Sequence, residues 1–195
     1  MAHTIGFIGL GNMGLPMATN LVNAGYTVLG FDTNEASNEK FVANGGTAVA
    51  DVAQLVAEST VVLTSLPTPQ VVSAVYRGPQ GIIQTANKGT ILVDFSTVNP
   101  QLNDELFAEA QQAQLHYLGA PVSGGVIGAI NATLTIMVGG ESEIHQQMTA
   151  IFNSLGKYIY HLGTSPSIGT RIKLLNNLMI GFYTEAVAET IVLGE

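Results

Sequence analysis

The chain has 195 residues, of which 47% are hydrophobic and only 10% are charged, enough for one domain with a full hydrophobic core. Its formal net charge of −8 excludes the basic stripe that nucleic-acid-binding proteins need, and the absence of Cys excludes disulfides, thiolate metal sites and Cys nucleophiles. The four His have no metal-ligand spacing and no apolar run reaches the roughly 18 residues of a membrane span, so we expect a cytoplasmic protein without metal or membrane partner.

The first residues have the pattern of a strand, a turn and a helix. Thr4–Ile8 predicts a buried strand that leaves no room for a signal peptide, and residues 13–24 predict an amphipathic helix. Between them Gly9, Gly11 and Gly14 have the spacing G-x-G-x-x-G, which is typical of a turn that holds a dinucleotide pyrophosphate. An ordinary Gly-rich strand–helix turn remains the alternative for these three residues.

A carboxylate follows the second predicted strand, residues 26–31. Asp32 lies 18 residues after Gly14, close to where an acidic residue accepts hydrogen bonds from the adenosine ribose. No Arg follows Asp32, and a carboxylate without a nearby cation repels the 2′-phosphate of NADP. The segment therefore favours NAD over NADP, the alternative being that Asp32 only caps the next helix.

Short apolar strands and helices continue to alternate along the chain. Strands are expected at 60–65, 90–94, 115–118, 133–138 and 157–161, and helices at 35–44, 51–58, 70–76, 80–86, 101–114 and 141–152. This alternation predicts an α/β fold, a doubly wound (Rossmann-type), mostly parallel sheet with helices on both faces. A long helix is expected at 170–193, about 36 Å in length.

Two turns at strand ends are candidate ligand loops. Pro67, after Leu66, prevents the strand at 60–65 from continuing, and ligands bind at the carboxyl edge of parallel sheets. Residues 119–125 are expected to form a flexible loop, in which Ser123, Gly124 and Gly125 offer a hydroxyl and successive N–H groups to a carboxylate. A plain connecting loop remains the alternative in both places.

The long final helix carries one notable cation. Lys173 is surrounded by apolar residues, and Asn177 lies four positions later on the same helical face. A partly buried amine with a lowered pKa can exchange a proton with an alcohol or carbonyl oxygen, whereas an ordinary solvated Lys is the alternative. Because the apolar face continues to residue 193, we expect this helix to pack against a second copy or a further domain.

Taken together, these motifs resemble the β-hydroxyacid dehydrogenases, the family of 3-hydroxyisobutyrate dehydrogenase, tartronate semialdehyde reductase and 6-phosphogluconate dehydrogenase. The resemblance covers essentially the whole chain. It implies that the cofactor is bound by Gly9, Leu10, Gly11, Asn12, Met13, Gly14, Asp32, Leu66, Pro67 and Thr97. It also implies a substrate loop at Ser123, Gly124 and Gly125, and a catalytic pair formed by Lys173 and Asn177. The chain departs from the family pattern at Ile130, Ala132 and Ser167, where the family has Arg, Gly and Gly.

The resemblance implies hydride transfer between NAD(P) and a small 3-hydroxy acid or semialdehyde, with Lys173 as general acid and base. It divides the chain into a cofactor domain at 1–165 and the start of an interdomain helix at 166–195, and it implies that the family's all-helical second domain is missing. The full-length form is expected to be a homo-oligomer. Two alternatives remain, an isolated NAD-binding module without catalysis and a 6-phosphogluconate dehydrogenase-like enzyme, the latter disfavoured because the chain has only six Lys and Arg.

Overall fold

A nine-stranded sheet forms the centre of the computed structural model, which describes residues 4–194. The strands are β1 (Thr4–Ile8), β2 (Thr27–Phe31), β3 (Thr47–Ala48), β4 (Val61–Thr64), β5 (Ile91–Asp94), β6 (His116–Gly119), β7 (Val122–Ser123), β8 (Leu134–Gly139) and β9 (Gly156–Gly163). Their spatial order is β3-β2-β1-β4-β5-β6-β8-β7, and β9 pairs with β8. The six strands from β3 to β6 are parallel, whereas β8 runs antiparallel to β6 and β7.

Residues 4–194 contain nine helices, of which the first eight lie between strands and the ninth follows β9. They are α1 (Gly14–Asn23), α2 (Glu35–Ala43), α3 (Val52–Ala57), α4 (Pro69–Arg77), α5 (Ile82–Thr85), α6 (Pro100–Gln112), α7 (Gly125–Ile130), α8 (Ser142–Asn153) and α9 (Ile168–Gly194). Several begin where the sequence supplies a capping side chain, as at Asp51, whose carboxylate accepts from the N–H of Gln54. Pro69 and Pro100 occupy first-turn positions, where the missing N–H costs least.

The hydrophobic core has two layers, one on each face of the sheet. Successive residues of a strand point to opposite faces, so Leu63 packs in one layer and Val62 in the other. One layer includes residues of α1 and α8, such as Met17 and Phe152, and the other includes residues of α4 and α6, such as Tyr76. The predicted doubly wound, mostly parallel α/β architecture is confirmed.

The segment predicted as a flexible loop at 119–125 is more ordered than expected, and that prediction is wrong. Val122 and Ser123 form β7, paired with Ile136 and Thr135 of β8, and α7 begins at Gly125. A strand of two residues is too short to show an alternation of apolar and polar side chains, and its position is determined by pairing with its partner strand. The same reason explains why β3 was not expected.

Helix α9 differs from the other long helices in its burial. Of its 27 residues only Gly169 and Thr170 are buried, and the side chains from residue 177 to 194 are all exposed in this chain. The exposed set includes large apolar side chains such as Leu178, Phe182 and Val187. Within residues 4–194, no helix is both long enough and apolar enough to cross a membrane.

Candidate active site

A cavity of about 530 Å³ lies at the carboxyl edge of the parallel strands, above β1, β2 and β4. Most of the predicted cofactor residues line it, namely Gly9, Gly11, Asn12, Met13, Gly14, Asp32, Leu66 and Pro67. Two of the predicted residues do not: Leu10 is buried beneath the turn and Thr97 lies in a neighbouring cavity. No group of three or more His, Asp or Glu within residues 4–194 is arranged to hold a metal ion.

The three glycines of the turn after β1 have distinct roles. Gly9 has a φ of +94°, which side chains rarely adopt, and so allows the tight exit from the strand. A Cβ at Gly14 would overlap the carbonyl oxygen of Gly9, so only Gly lets α1 pack this close to β1. A Cβ at Gly11 would meet no protein atom within 4 Å, so its bare backbone faces the open cavity. The space at Gly11 fits the close approach of a pyrophosphate.

Asp32 closes the far end of this cavity and is held firmly by the backbone. Its Oδ2 accepts from the N–H of Leu10 at 2.7 Å, and its Oδ1 accepts from the N–H of Asn34 at 2.8 Å. Asn38 completes the arrangement, because its side chain pairs with both the N–H and the C=O of Asp32. The carboxylate is thereby aimed at the cavity where the second strand ends, and Leu10 contributes through its backbone.

A second cavity, of about 660 Å³, continues from the first. The two cavities share the residues Met13, Ser65, Leu66 and Pro67, so a single extended ligand can occupy both. Thr97, Ser123, Gly124, Gly125 and Lys173 also line the second cavity. The structure therefore brings together residues from six separate parts of the sequence, among them the predicted substrate loop and the predicted catalytic Lys.

Lys173 is the one charged residue among those that line the second cavity. It lies near the start of α9 and is half-buried, and this burial lowers the pKa of its amine. No hydrogen bond or ion pair within residues 4–194 involves its ammonium group. The group is therefore available to a ligand in the cavity.

The predicted substrate loop is joined to α9 by the side-chain amide of Asn176, a residue that was not predicted from the sequence. Asn176 donates from Nδ2 to Ser123 Oγ at 3.5 Å, a long and weak hydrogen bond. Asn177 lies on the exposed surface of α9, between Lys173 and Ile180 on the same helical face, and only the latter two line the cavity. Positions three and four after a residue both share its face, so helical spacing alone does not distinguish Asn176 from Asn177.

Ser96 is a second residue that the sequence reasoning did not select. Its Oγ accepts from the N–H of Leu66 at 2.9 Å and so joins the turn after β4 to the turn after β5. Both turns line the second cavity. Its position in the sequence could have indicated this role, because Ser96 immediately precedes the predicted residue Thr97 at the end of a strand.

The sequence matches a family of dinucleotide-binding domains. Residues 4–163 match a family model described as the NAD-binding domain of 6-phosphogluconate dehydrogenase. The chain is 40% identical over 190 residues to 2-(hydroxymethyl)glutarate dehydrogenase of Eubacterium barkeri, and 37% identical over 190 residues to NAD-dependent L-serine dehydrogenase of Pseudomonas aeruginosa. Each alignment covers 97% of this chain and 63% of the relative.

The fold comparison agrees with the sequence comparison. The structure of Mycobacterium tuberculosis 3-hydroxyisobutyrate dehydrogenase with L-serine superposes with a TM-score of 0.93 at 37% identity. The match covers 99% of this chain and 65% of that structure. The chain thus spans a little under two thirds of the length of these relatives.

Proposed function

Because the chain belongs to the NAD-binding domain family of 6-phosphogluconate dehydrogenase, within the 3-hydroxyisobutyrate dehydrogenase group, we propose that it binds a nicotinamide dinucleotide for hydride transfer to or from a small hydroxy acid. The substrate is a 3-hydroxy acid or its semialdehyde. One observation carries this proposal: the glycine-turn cavity runs directly into the cavity that holds Lys173.

The first cavity fits the pyrophosphate and adenosine parts of such a cofactor. Gly11 leaves bare backbone at the mouth of α1, where the positive end of the helix dipole stabilises an anion. When bound, NAD(H) supplies the hydride chemistry, and the protein supplies alignment and electrostatics. Leu66 and Pro67 lie where the two cavities meet, Thr97 lines the second cavity, and the three residues would support the nicotinamide half.

We propose NAD rather than NADP as the preferred cofactor. Both oxygens of Asp32 are held by backbone N–H groups, so the carboxylate cannot turn away from a 2′-phosphate. Glu35 lines an adjoining cavity and adds a second negative charge there. The name of the Pseudomonas relative, an NAD-dependent enzyme, is in line with this preference.

Lys173 is proposed as the general acid and base. Its ammonium group would give a proton to the carbonyl oxygen during carbonyl reduction, and the neutral amine would take that proton back during alcohol oxidation. The lowered pKa of Lys173 favours this exchange, because proton transfer is most efficient when the pKa approaches the working pH. Ser123, Gly124 and Gly125 would hold the substrate carboxylate, and Asn177, which is exposed on the same face of α9 as Lys173, would orient the substrate from outside the cavity lining.

The domain division and the assembly state are proposed on the same basis. Residues 1–165 would form the cofactor domain and residues 166–195 the beginning of an interdomain helix, although residues 1–3 and 195 lie outside those described. The exposed apolar side chains of α9 support burial against further protein in the whole enzyme, which we expect to be a homo-oligomer.

Two other functions remain as outcomes of the test. An isolated module without catalysis would bind NADH and reduce no semialdehyde. A 6-phosphogluconate dehydrogenase-like enzyme would need several cations for a substrate phosphate, whereas Lys173 is the one cation among the residues that line the second cavity. The second cavity therefore favours a hydroxy acid without a phosphate group over 6-phosphogluconate.

The test combines cofactor binding with turnover. NADH and NADPH are titrated by fluorescence, and a panel of 3-hydroxy acids and semialdehydes is assayed with this chain and with a version extended past residue 195. We expect NADH to bind at least about tenfold more tightly than NADPH. Lys173→Ala should abolish turnover and spare NADH binding, while the control Lys157→Ala, placed on β9 over the ring of Tyr158, should change neither. Retained kcat in Lys173→Ala would contradict the assignment.

A further inference from the structure

A buried carboxyl group lies directly beneath the two turns that line the second cavity. Asp94 is the last residue of β5 and is 1% exposed. In the parallel register it stands beside Thr64, the last residue of β4. Burying a carboxyl group costs free energy unless hydrogen bonds compensate, so the hydrogen bonds of Asp94 indicate its role in the structure.

Two hydrogen bonds of the Asp94 carboxyl group converge on one of its oxygens, and the side chain of Ser96 also favours its ionised form. Oδ1 accepts from Thr64 Oγ1 at 2.8 Å and from the N–H of Ser96 at 3.0 Å. The Thr64 hydroxyl has a single proton, which it gives to Asp94, so the hydroxyl of Tyr76 at 3.1 Å is the donor to Thr64. One oxygen atom thus joins β4, α4 and the turn after β5.

The connection extends to the turn after β4 through Ser96. The backbone N–H of Ser96 is held by Asp94, and the side-chain oxygen of Ser96 accepts from the N–H of Leu66 at 2.9 Å. Leu66 lines both cavities, and the neighbouring residues Pro67 and Thr97 line the second. A change at Asp94 therefore reaches both cofactor-facing turns although Asp94 lines neither cavity.

The other carboxyl oxygen of Asp94 does not connect these elements. Asp94 Oδ2 is buried and has no hydrogen-bond partner within residues 4–194. The titratable groups that face the carboxyl are Tyr76 from α4 and Tyr117 from β6, and burial raises the pKa of both, so they remain neutral. No Lys, Arg or His of residues 4–194 forms a hydrogen bond or ion pair with Asp94, so the arrangement depends on an acceptor atom and not on an ion pair.

We propose that Asp94 is a positioning residue for the cofactor site, whose Oδ1 holds the turn at residues 65–68 and the turn at residues 95–99 in register through Ser96. This inference rests on the proposed function for its effect on cofactor binding. Burial raises the pKa of Asp94 to about 6, and the acceptor role persists in the protonated form, since its carbonyl oxygen still accepts. An Asn at this position retains that oxygen, whereas an Ala does not.

Amide hydrogen exchange tests the positioning directly and needs no cofactor. In Asp94→Ala we expect exchange at the N–H groups of Ser96 and Leu66 to rise at least about tenfold relative to the strand amides of Val62 and Leu92. Asp94→Asn should keep both rates within about twofold of the parent chain. Unchanged exchange in Asp94→Ala, or an equal loss in Asp94→Asn, would overturn the inference.

Ser96→Ala separates the two steps of the connection and makes only a small change in volume. We expect it to release the N–H of Leu66 while the N–H of Ser96 stays protected by Asp94. If Asp94→Ala does not fold, two other results test the inference. Ser96→Ala should release the N–H of Leu66 and leave the N–H of residue 96 protected, and Asp94→Asn should keep both N–H groups protected. Loss of protection at both amides in Ser96→Ala would contradict the proposed order of contacts.

NADH titration then connects the positioning to cofactor binding. Asp94→Ala and Ser96→Ala should weaken NADH binding by about tenfold, with Asp94→Asn within about twofold of the parent at every pH from 5 to 8. A purely structural role would lower the melting temperature and leave NADH affinity unchanged, which would also overturn the inference. If the parent chain bound no NADH, the proposed function would fail, while the exchange rates would still decide whether Asp94 positions the turns.

Discussion

The glycine turn and helix α9 face the same pair of cavities, but they are held in place by different means. The turn lies between β1 and α1, where Gly14 packs against Gly9 and the N–H of Gly9 donates to Phe31 O at 2.9 Å. Helix α9 contacts the sheet near its start, mainly β8, and its residues from 177 onward are exposed in this chain. The cofactor side is thus built into the core, and the Lys173 side is attached to it.

This difference shows how the two halves of the site depend on the rest of the molecule. The cofactor side is stabilised by the same burial that stabilises the fold, so a substitution that disturbs its packing should weaken both stability and cofactor binding. The Lys173 side has little burial to lose, so substitutions there should alter chemistry without altering stability. The following predictions test that separation, from the largest expected effect to the smallest.

The first prediction compares two Phe residues. Phe7 in β1 is fully buried, and its ring lies against the position of Gly14, so Phe7→Ala should lower the free energy of unfolding by about 3–5 kcal/mol. Phe182 in α9 is 62% exposed, and Phe182→Ala should change it by less than about 0.5 kcal/mol. Denaturant unfolding measures both, and equal losses would mean that α9 is part of the same core.

The second prediction compares two glycines of the turn. Gly14→Ala forces α1 away from the carbonyl of Gly9, which should cost about 3 kcal/mol of stability and abolish NADH binding. Gly11→Ala meets no protein atom, so its melting temperature should match the parent while NADH affinity falls at least about tenfold. Thermal unfolding and NADH titration separate the two effects. If Gly11→Ala bound NADH as tightly as the parent, the proposal that the pyrophosphate binds at this turn would be wrong.

The third prediction concerns pH and the sheet edge. Burial raises the pKa of Asp94 from 3.8 to about 6, so the folded state holds this proton more tightly than the unfolded state. The resulting stabilisation is fully present below about pH 4 and is lost as the pH rises through 6. The unfolding free energy of the parent should therefore fall by about 2–3 kcal/mol relative to Asp94→Asn between pH 4 and pH 7.

Urea titrations at each pH measure this difference. Burial and the neighbouring His161 lower the pKa of His145, which gives the opposite slope, because stability is then lost as the pH falls. His145 is present in both proteins, so its contribution cancels in the comparison. A difference that stays flat across this range would show that Asp94 keeps an ordinary pKa.

The smallest predicted effect lies beside the predicted substrate loop. Ala132, which follows α7, has a φ of +53°, a conformation that Gly adopts without strain. Ala132→Gly should raise the free energy of unfolding by about 0.5–1 kcal/mol, whereas Ala113→Gly, at a φ of −82°, should lower it by a similar amount. Opposite shifts in melting temperature would confirm the pair, and a loss in both variants would show that Ala132 is not strained.

The cofactor side could be predicted from the sequence because its signals are contiguous. Thr4–Ile8 was predicted with the observed bounds, and the spacing of the three glycines placed α1 and the first cavity together. Asp32 was selected from its distance along the chain, and it lines the same cavity. Each of these predictions concerns residues within one βαβ unit, where the local sequence pattern and the position in the folded structure agree.

The remainder of the site depends on contacts that no local pattern records. The pairing of β7 with β8 decides where Ser123 lies, and the sequence has no periodicity there. The contact of Ser123 with Asn176 instead of Asn177 depends on how α9 is rotated about its axis. The burial of Asp94 depends on β4 and β5 being neighbours, which the order of strands in the chain does not specify.

The position of β1 at the middle of the parallel strands also affects how the protein emerges during synthesis. Among the described strands β1 is made first, yet its second neighbour, β4, is completed only at Thr64. The N–H of Ser65 donates to Ile8 O, beside Gly9, so the floor of the first cavity is incomplete until that point. At about 5–20 residues per second, the ribosome leaves one edge of β1 uncovered for a few to about ten seconds. Each newly made chain therefore passes through an interval in which an apolar strand edge is accessible to chaperones, and it acquires the complete glycine turn only afterwards.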